Sequence, residues 1–115
     1  MSDPLDLNKV ALFLRGFAAE RDWEQFHTPK NLSMALAGEA GELLEIFQWL
    51  TPEQSVDLNE ANLHHVGEEL VDILRYVVRI AALLNIDLGQ AFWQKFEKNS
   101  TRYSVDEVRG SAEKR

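Results

Sequence analysis

Two pairs of acidic residues are the feature of this sequence whose types and spacing point most directly to chemistry. Glu39 and Glu42 lie three residues apart in GEAGELLEIFQWL, and Glu69 and Asp72 repeat that spacing in HHVGEELVDILRYVVRI. Residues three apart share one face of a helix. Glu39 and Glu69 also fall within apolar stripes, where an unpaired charge is strongly disfavoured. Four oxygen donors in such surroundings are typical of a site for a hard divalent cation, Mg²⁺ or its substitute Mn²⁺.

The same acids have two less specific interpretations. The carboxylates could pair with arginines at a contact between subunits, or they could face water in a loosely packed bundle. Glu68 shares a polar face with Arg75 and Arg79 and fits a solvated position of that kind, while Glu45 lies one step further round the helix from Glu42. We expect a metal site because both acidic pairs are set into apolar stripes, which a purely solvated pair does not require.

Four amphipathic helices would position these acids. Apolar residues at helical spacing predict a first helix that starts at Asp3-Pro4, a second over about 31–50, a third over about 60–84 and a fourth from Asp87 to about 103. The segment 22–30 is expected to be a loop. We therefore predict an all-α fold with a four-helix bundle-like protomer: one domain over residues 1–103 and a polar, flexible tail over 104–115. Surplus apolar residues such as Phe13 and Ile80 predict assembly through helix faces.

Composition narrows the functional classes. A net charge of −7 over 115 residues argues against binding to a nucleic-acid polymer, which needs clustered Lys and Arg. Neither a signal peptide nor an apolar run long enough to span a membrane is recognisable. The chain has no cysteine, so disulfides and thiol chemistry are excluded, and we expect a reducing, cytoplasmic location.

Two further groups of residues could bind a nucleotide. Asn99 lies within the apolar stripe of the fourth helix, with Lys95 and Arg102 beside it, and this arrangement suits phosphate oxygens. An ordinary amphipathic helix edge would look the same. The loop RDWEQFHTPKNL contains Trp23 and His27, and Trp49 ends the second helix. Such aromatic residues either stack on a nucleobase or pack in the core.

Taken together, the motifs GEAGELLEIFQW, EELVDILRY and KFEKNSTRY resemble those of the MazG-like all-α nucleoside triphosphate pyrophosphatases. The loop WEQFHTPKNL and the FQW after the first acidic pair are similar to the dCTP pyrophosphatase branch. The resemblance extends from about Val10 to Tyr103. It implies an enzyme that uses Mg²⁺ to hydrolyse a nucleoside triphosphate between the α and β phosphates, with dCTP or a modified pyrimidine deoxynucleotide as the expected substrate.

The resemblance also assigns roles to residues. The implied metal ligands are Glu39, Glu42, Glu69 and Asp72. The implied substrate contacts are Trp23, His27, Trp49, Tyr76, Lys95, Asn99 and Arg102. Glu42 is the expected activator of the attacking water, with Glu45 as the second candidate. A homodimer or homotetramer, with active sites near the subunit interfaces, is implied as well.

Two other functions stay open at this point. A non-catalytic helical module that senses nucleotides would bind them without turnover. A di-iron bundle would need two Glu-x-x-His motifs on facing helices, whereas the chain offers one, Glu24 to His27, in a segment that contains a proline.

Overall fold

The computed structural model describes residues 4–114, and within them the chain forms six α-helices and one short 3₁₀ helix. The prediction of an all-α fold is confirmed. The elements in chain order are α1 (Leu7–Glu20), the 3₁₀ helix (Glu24–Phe26), α2 (Pro29–Phe47), α3 (Pro52–Ser55), α4 (Glu60–Leu83), α5 (Leu88–Arg102) and α6 (Val105–Val108).

Each of the four long helices begins at a residue whose side chain caps it. Thr28, Asn59 and Asp87 accept hydrogen bonds from the backbone N–H three residues later, at the starts of α2, α4 and α5. Asp6 caps α1 in the same way, so the expected start at Pro4 was wrong. The predicted cap Asp3 lies outside the described residues.

The connections are more helical than the sequence suggested. Pro29 was expected in a loop, but it occupies the first turn of α2, where its missing N–H is not needed. Thr51 and Gln54 form a reciprocal capping box that starts the one-turn helix α3. Asp87 caps α5 at the backbone N–H of Gln90, as the spacing of these two residues predicted.

The chain forms two compact units, divided after Asn85. In the first unit α4 packs against both α1 and α2. The residues buried between them are small or aliphatic: Ala18, Leu32, Val78 and Ala81. Asn85 has a φ of 55° and ends the helical segment in the left-handed conformation. This unit contains both acidic pairs.

The second unit contains α5 and α6. Phe92 contacts Trp93 and Phe96, with ring centroids 5.0 and 4.7 Å apart. The short helix α6 lies where a flexible tail was expected, and the predicted boundary at residue 103 stays a prediction. Across residues 4–114, none of the helices has the length and apolar character needed to cross a membrane.

Candidate functional site

Three of the four predicted metal ligands converge in the first unit. Glu39 on α2 and Glu69 and Asp72 on α4 each place one carboxylate oxygen within 4.8 Å of the others. Glu69 is only 6% exposed, although it carries a carboxylate. One oxygen each of Glu39 and Glu69, Oε2 in both, is buried without a hydrogen-bond partner in the described part of the chain. Buried, unpartnered carboxylate oxygens from two helices fit a hard divalent cation.

The surroundings of Glu39 disfavour its ionised form. The pKa of Glu39 is raised from 4.5 to about 7, and burial is the largest cause of this rise. The neighbouring carboxyls of Glu69 and Glu42, within hydrogen-bond reach, and the charges of Glu42 and Asp72 contribute the rest of it. Desolvation and like charges both disfavour an ionised acid. A bound cation would relieve both effects, so this pKa supports the same interpretation as the unpartnered oxygens.

Glu42, the fourth predicted ligand, is outside the cluster of three but next to Glu39. It is exposed and lines an open depression of about 440 Å³ together with Glu45, Asn62 and His65. Both predicted water-activating acids therefore share one solvent-filled surface beside the buried carboxylates. His65 connects the two regions, because its Nε2 lies 3.3 Å from Oε1 of Glu69.

Arg75 and Arg79 differ from the sequence-based expectation. Both were expected on a solvated face with Glu68, and Glu68 is indeed exposed. Arg79, however, is only 6% exposed. Arg75 is half-buried; its Nε donates to Asp72 Oδ1 at 3.0 Å, and its Nη2 donates to the hydroxyl of Tyr76 at 2.9 Å. Charged residues can be buried at such positions because they are paired with other polar groups.

An aromatic groove of about 800 Å³ opens beside these arginines. Its lining includes Phe17, Trp23, His27, Arg75 and Tyr76. The Trp23 ring lies 5.8 Å from Phe17 and 6.4 Å from His27, centroid to centroid. Three of the predicted substrate contacts, Trp23, His27 and Tyr76, are thus brought together. Flat aromatic walls with a few polar atoms are suited to a planar heterocyclic ring.

The surroundings of His27 favour its neutral form. Its pKa is lowered first by burial and then by the positive charges of Arg79 and Arg75, while Glu24 acts weakly in the opposite direction. The Nε of Arg79 donates a hydrogen bond to Nδ1 of His27 at 3.4 Å. Both observations favour a neutral, hydrogen-bonding imidazole in the lining of the groove.

The other predicted substrate contacts lie elsewhere. Trp49 is 86% exposed at the end of α2 and is not part of the groove lining. Lys95, Asn99 and Arg102 line one open, concave surface on α5 in the second unit. Asn99 is half-buried there, as its place in the apolar stripe suggested. The binding roles of these four residues stay predictions.

Three side chains that were not predicted as site residues contact predicted ones: His65 contacts Glu69, Arg75 contacts Asp72, and Arg79 contacts His27. The spacing of the first two carried a usable signal. His65 precedes Glu69 by four residues, and Arg75 follows Asp72 by three, which places both on the faces of α4 that carry the acids.

Proteins of known structure or name resemble this chain. A pyrophosphatase from Archaeoglobus fulgidus superposes with a TM-score of 0.81 at 32% identity, over 90% of this chain and 97% of that protein. Among curated relatives, dCTP pyrophosphatase 1 from mouse is 50% identical over 101 residues, and the human protein of that name is 47% identical over 103. These alignments cover 84% and 85% of this chain but 58% and 59% of the relatives, so the chain spans under two thirds of their length.

The MazG-like family profile matches residues 35–115, which include both acidic pairs and all of α5. This match covers more than half of the chain. The three converging carboxylates lie on α2 and α4, within the matched segment. The chain belongs to the MazG-like family.

Proposed function

We propose that this protein is a nucleotide pyrophosphohydrolase that cleaves a nucleoside triphosphate between the α and β phosphates. The proposed substrate is dCTP or a related, modified pyrimidine deoxynucleotide, and the products are the monophosphate and pyrophosphate. Such an activity would remove unwanted nucleotides from the precursor pool. The names of the archaeal pyrophosphatase and of the mammalian dCTP pyrophosphatases support the reaction and the substrate class.

The observation that carries the proposal is the group of three carboxylates from two helices. Their oxygens lie within 4.8 Å of one another, and two buried oxygens have no protein partner among the described residues. Glu39, Glu69 and Asp72, with Glu42 beside Glu39, would hold Mg²⁺ or Mn²⁺. A divalent cation, when bound there, offsets the charge of the phosphate oxygens during in-line displacement.

The exposed acids beside the buried cluster would activate the attacking water. Glu42 is the proposed proton acceptor for the water that attacks the α phosphorus, and Glu45 is the second candidate. Both are exposed and line the depression beside the buried cluster, so water reaches them. As the new bond to phosphorus forms, the bond between that phosphorus and the bridging oxygen breaks, and pyrophosphate leaves.

Binding of the nucleotide would use two kinds of residue. The aromatic groove that includes Trp23, His27 and Tyr76 is the proposed base site, because its walls match a planar ring. Lys95, Asn99 and Arg102 on α5 are the proposed phosphate contacts, because ammonium, amide and guanidinium groups all donate hydrogen bonds to phosphate oxygens. Trp49 is kept as a proposed contact of the base.

A second copy of the chain is the proposed partner, as a homodimer or homotetramer. Large apolar side chains of the first unit lie exposed on α1 and α4, with Leu12, Phe13 and Val71 each more than 60% accessible. Apolar surface of this kind commonly marks a contact between protein chains. Sedimentation velocity over a range of concentrations tests this part of the proposal. The cytoplasmic location is also proposed, from the cysteine-free composition.

Pyrophosphate release from a panel of canonical and modified triphosphates tests the proposed reaction. The panel is run with Mg²⁺ and with EDTA, on the wild type and on Glu69→Gln. We expect release with Mg²⁺ alone, and a loss of at least about a hundredfold in Glu69→Gln, because one buried ligand becomes neutral. Glu68→Gln is the matched control, since it changes the preceding, exposed carboxylate on the same helix.

The outcomes separate the possible functions. Full activity in EDTA, or equal losses in Glu68→Gln and Glu69→Gln, would refute the proposed site. Nucleotide binding without any product would favour the sensing module instead. Analysis of the products distinguishes the monophosphate with pyrophosphate from the diphosphate with phosphate, and so identifies the bond that is cleaved.

A further inference from the structure

Arg79 is a buried cation that the proposed hydrolysis does not use. It lies on α4, seven residues after Asp72, and only 6% of it is exposed. Its guanidinium contacts two residues of the segment before α2. Nε donates to His27 Nδ1 at 3.4 Å, and Nη2 lies 4.0 Å from Oε1 of Glu24, a side chain that is itself largely exposed. Arg79 therefore faces the aromatic groove through His27.

A hydrogen bond from an arginine determines which nitrogen of the imidazole carries the proton. A guanidinium has donors and no acceptor, so the nitrogen that it contacts must offer a lone pair. Nδ1 of His27 is then unprotonated, and a neutral imidazole carries its proton on Nε2. If the ring were doubly protonated, its Nδ1–H would face the N–H of Arg79, and its positive charge would lie near those of Arg79 and Arg75. This repulsion agrees with the lowered pKa of His27.

This tautomer gives the groove a defined polarity. Within residues 4–114 no hydrogen bond involves His27 Nε2, whereas Nδ1 is occupied by Arg79. The side chain of His27 lies among the aromatic rings that line the groove, next to Trp23. The polar atom that remains available on His27 is thus a donor. It suits a base edge that presents an acceptor, such as O2 or N3 of cytosine.

We propose that Arg79 is a positioning residue that fixes His27 as the neutral Nε2–H tautomer, so that the groove offers a hydrogen-bond donor to an acceptor on the nucleobase. Arg79 itself does not touch the substrate. The identity of the ligand rests on the proposed function, whereas the tautomer is a property of the free protein. The two parts are therefore tested separately.

Nitrogen NMR of protein labelled at histidine tests the tautomer directly. The chain has three histidines, and His27→Ala identifies the resonances of His27. In the wild type at pH 7 we expect His27 in the Nε2–H form, with a titration midpoint below the ordinary value of a histidine. Arg79→Met is expected to give a mixture of tautomers and a higher midpoint for His27. His64 and His65 pair with Glu68 and Glu69, so they serve as internal controls.

Kinetics with dCTP test the consequence for binding. Loss of one oriented donor is expected to raise KM about two- to tenfold in Arg79→Met, with kcat nearly unchanged. Arg79→Gln keeps an N–H donor without the charge, so more of the Nε2–H tautomer and a smaller rise in KM are expected than in Arg79→Met. A purely structural role for Arg79 would not link KM to the tautomer ratio.

The result that overturns the proposal is specific. A wild-type His27 that is protonated at Nδ1 or doubly protonated at pH 7 refutes it, and this measurement needs no variant to fold. Equal tautomer ratios in the wild type, Arg79→Gln and Arg79→Met also refute it. If the wild type hydrolyses no triphosphate, the proposed function fails, while the NMR result still decides the state of His27.

Discussion

Replacement of Glu39 by glutamine is expected to change how the stability of the metal-free protein depends on pH. The pKa of Glu39 in the folded protein is about 7, above its ordinary 4.5. Between these two values the folded state retains a proton that the unfolded state has released. The free energy of unfolding therefore falls as pH rises through this interval and stays low above it. Glutamine removes this contribution without a large change in shape.

The magnitude follows from the pKa shift. A difference of roughly 2.5 units corresponds to about 3 kcal/mol as an upper limit. Glu39 shares the cluster with Glu42, which is exposed to water, so part of the repulsion is screened. We expect the wild type to lose about 1–2 kcal/mol more than Glu39→Gln between pH 5 and pH 8. Acids outside the cluster contribute equally to both proteins, so they cancel in this difference.

Urea unfolding after removal of metal by EDTA measures this effect at one fixed protein concentration, because assembly would shift the midpoint. Glu20→Gln is the control, since the side chain of Glu20 is exposed on α1. Excess Mg²⁺ at pH 8 is expected to stabilise the wild type more than Glu39→Gln. Identical pH dependence in the wild type and Glu39→Gln would refute the argument that the carboxylates repel one another in the folded state.

Three further changes give independent tests. His65→Ala is expected to weaken Mn²⁺ binding about tenfold, because His65 contacts the proposed metal ligand Glu69. Electron paramagnetic resonance without substrate measures Mn²⁺ binding, and His64→Ala is the control, because His64 contacts the exposed Glu68. Trp23→Ala is expected to raise KM for dCTP about tenfold through lost stacking, whereas Trp93→Ala in the second unit leaves it unchanged; equal effects would contradict the base site. Leu32→Ala is expected to lower the free energy of unfolding by about 2–4 kcal/mol, because Leu32 is buried, while Val56→Ala at an exposed position changes it by less than about 0.5 kcal/mol in the same urea assay.

The convergence of the acids was predictable from the sequence because it depends on local geometry. Glu39 and Glu69 interrupt apolar stripes, and a stripe faces whatever the helix packs against. Once α2 packs on α4, the interrupting carboxylates must approach each other. The capping signals were predictable for the same reason, since Thr51 or Asp87 acts on a backbone group three residues away.

The burial of Arg79 was not predictable in this way. A helical wheel assigns a charged residue to solvent unless a partner is known, and the partner here, His27, is 52 residues away in the chain. The expected loop before α2 gave no sign that the 3₁₀ helix would bring His27 to α4. Glu42 is a different case: a residue at the edge of a stripe can lie on either side of it, Glu42 is exposed, and its role as a metal ligand stays a prediction. In both cases the exposure of the side chain depends on packing between segments that are distant in the sequence.

The side-chain caps that start the long helices have a consequence for how this protein can vary. Thr28 sets the first residue of α2, and Asn59 sets that of α4. The direction in which each acid points around its helix axis therefore depends on the number of residues between the acid and the cap. One residue inserted between Thr28 and Glu39 would turn the carboxylate by about 100° around the axis of α2. The same insertion between Leu50 and Asn59 would leave the directions of Glu39 and Glu69 around their helix axes unchanged. Changes of length are therefore expected to be tolerated in the connection around α3 and excluded from the first eleven residues of α2.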